Sequence, residues 1–261
     1  MAKRLDTTED DITSGDECSA SDILSVTEFA TRVKFPFSMA VASKRCTGKT
    51  MLVSVLIQSL IDAGKIDMCL VMSQTVHVND DYSFLPDRLR QPFSEEVIKK
   101  LMDRQAKVPK DKREKVLLVL DDVLSDKEAE KSRFIKRLYT LGRHYSLAVC
   151  LISQSSNVAL TPAIKQNSDW LLWSRLNYYQ LSVMYESITN LKKKEFIQWS
   201  EENNKDYVFL CVDNTSNSNK PADFLLKIRV SEEEAERLPS GEEISESSSE
   251  SDASWSQESW F

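Results

Sequence analysis

The chain has 261 residues, of which 41% are apolar and 8% aromatic, enough for one large domain with extensions. No run of 18 or more apolar residues occurs, and no apolar segment follows the basic residues near the start. We therefore predict neither a membrane span nor a secretory signal, and expect the protein to act inside a cell. Five cysteines without a C-x-x-C pair, beside two histidines, favour buried thiols over disulfides or zinc.

The net charge of −7 is unevenly distributed along the chain. Residues 1–22 carry a net charge of −5 and residues 231–261 a net charge of −9, which leaves +7 for residues 23–230. A basic core suits a polyanionic ligand, although a solvated mixed surface explains the same charge. We predict a folded domain at 31–230, an N-terminal acidic extension at 1–30 that is mostly disordered, and a disordered acidic tail rich in Ser and Glu at 231–261.

Short apolar runs alternate with amphipathic stretches between the two ends. Several of the runs are apolar throughout, which is typical of strands covered on both faces of a parallel sheet. Two amphipathic helices are predicted at 50–63 and 131–141, and each precedes a glycine that suits a helix C-terminus. The pattern predicts an α/β fold with a mostly parallel central sheet flanked by helices. The predicted strands are 37–42, 68–73, 115–120, 147–153, 170–173, 207–212 and 224–230.

The stretch SKRCTGKT at 43–50 joins the first of these strands to the first predicted helix. It follows the phosphate-loop pattern G-x-x-x-x-G-K-[ST] except that Ser43 replaces the first glycine. Such a loop holds phosphate with backbone N–H groups and the helix dipole, while Lys49 reaches the β- and γ-phosphates and Thr50 binds Mg²⁺. Serine is small and fits the turn if its φ stays negative. The predicted ATP-binding residues are Ser43, Lys44, Arg45, Cys46, Thr47, Gly48, Lys49 and Thr50.

Acidic and amide side chains follow two later strands. KVLLVLDD at 115–122 ends in Asp121, predicted to hold Mg²⁺ together with Thr50, and Asp122, predicted to orient or deprotonate the attacking water. Gln154 ends the next strand and is predicted to sense the γ-phosphate or to position the attacking water, because ligands gather at the carboxyl ends of parallel strands. In a chain that lacked the phosphate loop, the same residues would indicate only an ordinary buried strand followed by ordinary turns.

Four segments together resemble the DNA-packaging ATPases of large DNA viruses, the poxvirus-type branch of the FtsK/HerA superfamily. They are ASKRCTGKT, VMSQTVHVNDDYSFLP, LLVLDD and GRHYSLAVCLISQ, and the similarity covers most of residues 35–175. The resemblance implies an additional-strand, RecA-like P-loop NTPase. It also implies a homo-oligomeric ring that uses ATP and Mg²⁺ to move double-stranded DNA into capsids within an infected cell, with a capsid or portal-vertex protein as a further partner and with association with the virion.

The same resemblance assigns roles to single residues. Asp121 and Asp122 match the magnesium and water-activating pair, and Gln154 matches the sensor. Arg143 matches an arginine finger supplied to the neighbouring subunit; on chemistry alone, Arg133 and Arg137 compete for that role, and a surface arginine at a helix C-terminus is the alternative. Ser43 replaces the first glycine of the pattern, a change that this branch tolerates. Asp122 stands where many members have glutamate, and its shorter side chain would slow hydrolysis by misplacing the base, so the resemblance predicts nucleotide binding more firmly than turnover.

Contacts to DNA are predicted to be backbone-directed, insensitive to base sequence and weakened by salt. Each candidate cluster is also consistent with a charged, solvent-exposed surface that does not contact DNA. The candidates are Lys192, Lys193, Lys194, Arg88, Arg90 and the segment 106–115.

Two other functions fit parts of the pattern. A small-molecule kinase would use the same loop and add an acceptor pocket. A nucleotide-binding interaction protein would act through its acidic tail, where Trp255, Trp260 and Phe261 form a docking motif or a chance grouping.

Overall fold

The computed structural model describes residues 23–76, 81–123, 133–154, 161–186, 191–205 and 207–239. Within these ranges, nine strands form one sheet in the order β1-β9-β8-β7-β2-β6-β5-β3-β4. The strands are β1 (Ile23–Leu24), β2 (Ser38–Ser43), β3 (Met68–Ser73), β4 (Arg90–Gln91), β5 (Val116–Asp121), β6 (Leu147–Ser153), β7 (Trp170–Ser174), β8 (Phe209–Asp213) and β9 (Leu225–Ile228).

Helices cover both faces of the sheet, and side-chain caps start several of them. Ser94, for example, accepts the backbone N–H of Val97 at the start of α3. Gly64, at φ +61°, follows α2 in the left-handed conformation that glycine adopts at helix ends. The helices are α1 (Val26–Arg32), α2 (Lys49–Asp62), α3 (Glu95–Lys107), α4 (Arg133–Leu141), α5 (Pro162–Asn167), α6 (Tyr178–Tyr185), α7 (Lys193–Asn203), α8 (Pro221–Phe224) and α9 (Glu232–Glu236).

The sheet is mostly parallel, as predicted. β2 pairs in parallel with β6 and β7, and β5 pairs in parallel with β3 and β6, whereas β8 runs antiparallel to β7 and β9. Ala42 pairs with Ser153, and Asp121 pairs with Ile152. The carboxyl ends of β2, β5 and β6 therefore meet at one edge of the sheet, where the phosphate loop begins.

Alternate residues of the buried strands face two separate cores. Met39 and Val41 pack with α1 and α2 on one face, while Ala40 and Ala42 face the core built with α3 to α7. The strands are apolar throughout because both faces are covered. The fold is an α/β sandwich of three layers.

The predicted boundaries of the folded domain need correction. The sequence predicts residues 23–30 to belong to the extension, yet β1 pairs with β9, and Val26, Phe29 and Ala30 are buried against α2. Glu234, assigned to the tail, is buried and accepts the backbone N–H and the hydroxyl of Thr27, each at 2.8 Å. The prediction relied on the net charge of each whole end of the chain, and a net charge does not reveal a few buried residues within the segment. Residues 1–22 and 240–261, which hold the rest of both segments, lie outside the described residues.

The described helices include none that is long and apolar enough to cross a membrane. Cys69, Cys150 and Cys211 are buried free thiols, and Cys46 is an exposed one. Burial raises the pKa of the three buried thiols, which keeps them protonated and unreactive. Cys18 lies outside the described ranges.

Candidate active site

Ser43 closes the phosphate loop with its hydroxyl. It is fully buried at the end of β2, and its Oγ lies 2.7 Å from Thr47 Oγ1. Thr47 Oγ1 lies 3.0 Å from the Lys44 carbonyl, to which it can donate. Positive φ in this loop occurs at Cys46 and Gly48 and not at Ser43. The substitution for glycine therefore needs no strained backbone, and the serine adds a buried hydrogen bond across the loop.

Gly48 starts α2 in a conformation that favours glycine. Its φ of +82° is left-handed, and its carbonyl accepts the N–H of Leu52 at 2.9 Å as the first bond of the helix. A Cβ at this position would lie 3.3 Å from Cδ1 of Tyr207, whose exposed ring covers the glycine. Lys49 and Thr50 follow at the first turn of α2, both half-buried.

Asp121 is a buried carboxylate at the end of β5. Its Oδ2 accepts a 2.8 Å hydrogen bond from the hydroxyl of Tyr82. Its Oδ1 is buried with no hydrogen-bond partner within the described part of the chain. Burial raises the pKa of Asp121 from 3.8 to about 6, with Asp122 and Asp81 adding to the rise, while the Tyr82 bond and Lys49 oppose it.

Asp122 joins the phosphate loop to the neighbouring strand. Its backbone N–H donates to the Ile152 carbonyl at 3.0 Å, and its φ of +51° turns the chain sharply after β5. Its Oδ2 lies 3.4 Å from Nζ of Lys49 and accepts a hydrogen bond from Nε2 of Gln154. Oε1 of Gln154 in turn accepts a 2.7 Å bond from Nε of Arg45. One polar network therefore connects the loop, the end of β5 and the end of β6.

Three residues at this edge were missed by sequence reasoning. Tyr82 lies in one of the segments that carried the resemblance, but nothing there marks its hydroxyl as the partner of Asp121. Tyr207 comes just before β8, and the Arg175 guanidinium carbon lies 6.0 Å from its ring centroid. Both have positive φ, at +55° and +52°. The proximity of Tyr207 to Gly48 follows from the antiparallel pairing of β8 with β7, which the parallel-sheet prediction did not include.

Arg143 lies at the opposite edge of the sheet from this network. It precedes β6 in a short 3-10 turn, and one guanidinium nitrogen is 3.7 Å from Oδ1 of Asp169, just before β7. Oδ2 of Asp169 accepts the N–H of Ser38 at the start of β2. The length of β6 separates Arg143 from Gln154, roughly 20 Å at the usual rise per residue. Arg143 therefore does not reach the loop of its own chain.

The basic candidates for DNA contact are divided between elements, since Arg88 and Lys107 line one groove beside α3 while Lys193 and Lys194 lie on α7, and their role stays a prediction. Arg113 donates to the carbonyls of Val108 and His144, and Lys115 donates to the carbonyl of Gly64, so these two stabilise the fold. Arg90 pairs with Asp87. Lys193 and Lys194 are exposed on α7.

The residues at the carboxyl edge fit a magnesium ion. Asp121 offers an unpartnered carboxylate oxygen and Thr50 a hydroxyl, which are the hard oxygen ligands that Mg²⁺ prefers. Among the residues described, no group of three or more His, Cys, Asp or Glu is placed to hold a metal by itself. This suits an ion that takes one or two protein ligands and completes its shell with phosphate oxygens and water.

Comparison with known proteins agrees with this geometry. The profile described as "Poxvirus A32 protein" matches residues 27–161, slightly more than half of the chain. The chain belongs to the poxvirus A32 protein family. A viral relative is the uncharacterized protein 075L of Invertebrate iridescent virus 6, which is 29% identical over 191 residues, or 69% of this chain and 72% of that protein. The resemblance inferred from the sequence is thereby confirmed.

Solved structures show the same fold at low sequence identity. The genome packaging NTPase B204 of Sulfolobus turreted icosahedral virus 2, in complex with AMP, has a TM-score of 0.55 at 14% identity. The alignment covers 75% of this chain and 98% of B204. The pCW3 conjugation coupling protein TcpA has a TM-score of 0.53 at 14% identity, over 77% of this chain and 60% of TcpA. The described part of the chain therefore has the same α/β fold as the packaging NTPase B204.

Proposed function

We propose that this protein is an ATP-hydrolysing motor that translocates double-stranded DNA to package a viral or virus-like transposon genome. The observation that carries the proposal is the network from Arg45 through Gln154 and Asp122 to Lys49, beside the buried carboxylate of Asp121. In a member of the poxvirus A32 family, this arrangement has the parts that phosphoryl transfer to water requires.

The chain's residues act on three parts of the reaction. Backbone N–H groups of residues 43–50 and the N-terminus of α2 bind the phosphates, and the Lys49 ammonium neutralises the β- and γ-oxygens. Asp121 and Thr50 would hold Mg²⁺, which supplies further charge neutralisation on the phosphates when it is bound. Asp122 accepts a hydrogen bond from the water that attacks the γ-phosphorus; the bond between this phosphorus and the ADP oxygen breaks, leaving ADP and phosphate.

Gln154 has a positioning role in this scheme. Its amide donates to Asp122 and accepts from Arg45, so it aligns the carboxylate with the phosphate loop. A change at the loop, such as loss of the γ-phosphate, alters the position of Arg45 and is transmitted through Gln154 to the end of β6. This connection is a route by which hydrolysis can drive motion of the sheet edge.

The finer parts of the proposal are a ring of identical chains, a capsid or portal-vertex partner, and action inside an infected cell. Support comes from two structural relatives, the genome packaging NTPase B204 and the conjugation coupling protein TcpA. Arg143 supports the ring specifically. It is exposed and roughly 20 Å from its own chain's loop, so it contributes to hydrolysis only when a neighbouring copy presents it.

Displacement of a triplex-forming oligonucleotide from a long duplex tests translocation directly. We expect ATP-dependent displacement by the wild type, at the same rate for unrelated duplex sequences and more slowly at higher salt. Phosphate release without displacement would contradict the motor. Transfer of the γ-phosphate to a small acceptor would indicate a kinase instead.

The role of Arg143 is tested in mixed assemblies. Arg143→Ala and Lys49→Ala proteins, each inactive alone, should partly restore turnover when combined, because some interfaces then pair an intact loop with an intact arginine. Absence of restored turnover in assemblies shown to be mixed would remove Arg143 from the mechanism.

A further inference from the structure

A large apolar groove lies away from the candidate active site. It has a volume of about 780 Å³ and runs between α3, the start of β3 and the segment that precedes β4. Its apolar lining includes Phe84, Leu85, Leu89, Val97, Leu101 and Val108. A cavity of this size accommodates a ligand with several ring systems, and an apolar groove on a protein surface usually marks a binding site.

The rim of the groove is predominantly basic. Arg88, Lys100, Arg104 and Lys107 line it, against two acidic residues, Asp67 and Asp103. Lys100 and Arg104 also form partly exposed ion pairs with Glu96 and Glu114, at 3.2 and 3.6 Å, which a bound carboxylate would have to share or displace. Lys100 and Lys107 are exposed and lie on the same helix as Val97 and Leu101. The groove therefore combines an apolar floor with a positive rim, which suits a segment that carries aromatic side chains among carboxylates.

Such a segment leaves the fold at this place. Pro239, the last residue of the described ranges, is itself part of the groove lining. The 22 residues that follow, 240–261, contain six acidic residues and no basic residue, together with Trp255, Trp260 and Phe261. The stretch from Pro239 to Trp255 spans up to about 50 Å when extended, which is ample to return to the groove.

We propose that the aromatic residues of segment 240–261 bind in this groove of the same chain, with their neighbouring carboxylates against the basic rim. The acidic residues 1–22 fit less well, because they contain no aromatic residue. Because segment 240–261 is attached to the chain beside the groove, its effective concentration at the groove is high. A modest intrinsic affinity is therefore sufficient for binding. This inference goes beyond the proposed function and does not depend on it.

Zero-length carbodiimide cross-linking of the full chain tests the inference. It joins a carboxylate to a lysine only when the two are in direct contact. We expect cross-links from Glu258 or Asp252 to Lys100 or Lys107, and few to Lys193 and Lys194, which are equally exposed on α7 and serve as matched controls. A mixture of ¹⁴N- and ¹⁵N-labelled protein distinguishes cross-links within one chain from those between copies.

The variant Trp255→Ser/Trp260→Ser/Phe261→Ser keeps every charge of the segment and removes its aromatic groups. We expect it to lower the yield of the groove cross-links by roughly tenfold or more, given the affinity that burial of a large aromatic side chain contributes. An unchanged yield would show that charge alone brings the segment near, and would overturn the proposal. Cross-links only between copies, or spread evenly over the exposed lysines, would overturn it equally.

Discussion

The two edges of the central sheet use their charged residues differently. At the carboxyl edge, Lys49, Asp122 and Gln154 share one network beside the buried Asp121. At the amino edge, Arg143 and Asp169 form a single pair at 3.7 Å, and the arginine is 54% exposed. An exposed pair contributes little stability, whereas a connected, partly buried network restrains the positions of its members. In the proposed mechanism, the carboxyl edge binds the nucleotide of its own chain, while Arg143 at the amino edge acts on another copy.

The largest expected effect on ATP turnover comes from removing the ammonium group of Lys49 at the carboxyl edge. Lys49→Ala should lower ATP turnover by about 10³-fold, because it deletes a positive charge placed where the transferring phosphoryl group develops negative charge. Phosphate release measures this effect. Lys220→Ala, at an exposed lysine just before α8, should leave turnover unchanged. Turnover of Lys49→Ala within a factor of two of the wild type would show that the loop does not bind the reacting phosphates.

Asp121 should make the stability of the carboxyl edge depend on pH. Because its pKa is raised from 3.8 to about 6, the folded protein binds this proton more tightly than the unfolded chain does. The free energy of unfolding should therefore decrease as pH rises from about 4 to about 6 and stay low above that. The upper limit is about 3 kcal/mol, at 1.36 kcal/mol per pKa unit. Urea denaturation without nucleotide or Mg²⁺ at several pH values measures the change.

Two variants isolate the contribution of this carboxylate. Asp121→Asn should remove most of the decrease and be more stable than the wild type above pH 6, since an amide at this site carries no buried charge. Tyr82→Phe removes a hydrogen bond that lowers the pKa of Asp121, so it should shift the decrease to higher pH. Parallel pH profiles for the wild type and Asp121→Asn would contradict the assignment.

Substitution of Gln154 is the most selective way to disrupt the polar network at the carboxyl edge. Gln154→Ala should lower kcat by about 10²-fold, within the range for residues that position a catalytic base, and leave the Kd for ATP nearly unchanged. Steady-state turnover and nucleotide titration separate the two quantities. Gln198→Ala, at an amide paired with Glu202 on the surface of α7, is the matched control. A loss of affinity as large as the loss of turnover would assign Gln154 to binding instead.

Ser43 should give the smallest effect. Ser43→Ala removes the buried bond to Thr47 and should lower the free energy of unfolding by about 1 kcal/mol. In the double variant Ser43→Ala/Thr47→Val, the two costs should not add, because one interaction is lost in both. Additive costs would show that the two hydroxyls act independently.

Much of the fold follows from local sequence patterns. The strands 68–73 and 147–153 were predicted with the bounds the structure shows, because residues buried on both faces must be apolar throughout. The short strands β1 and β4 were missed, since two residues carry no period. The N-terminal boundary was wrong because the mean charge of residues 1–30 concealed the capping box of Ser25 and Glu28 and the three buried residues of α1.

The candidate site was predictable where its residues follow strands. Lys49, Asp121, Asp122 and Gln154 lie together because the carboxyl ends of adjacent parallel strands share an edge, although their catalytic roles stay predictions. Tyr82, Tyr207 and Arg175 were not predictable, because their positions depend on loop paths and on an antiparallel strand. The condition placed on Ser43, a φ that stays negative, is met, and its bond to Thr47 explains why serine suits this position.

Phosphate release by the wild type, with and without long double-stranded DNA at low salt, tests the central claim most directly. We expect turnover that requires Mg²⁺, rises severalfold when duplex DNA is added, and disappears in Lys49→Ala under both conditions. A wild-type rate that is unaffected by DNA, in a protein shown to bind ATP and to form oligomers, would contradict the motor.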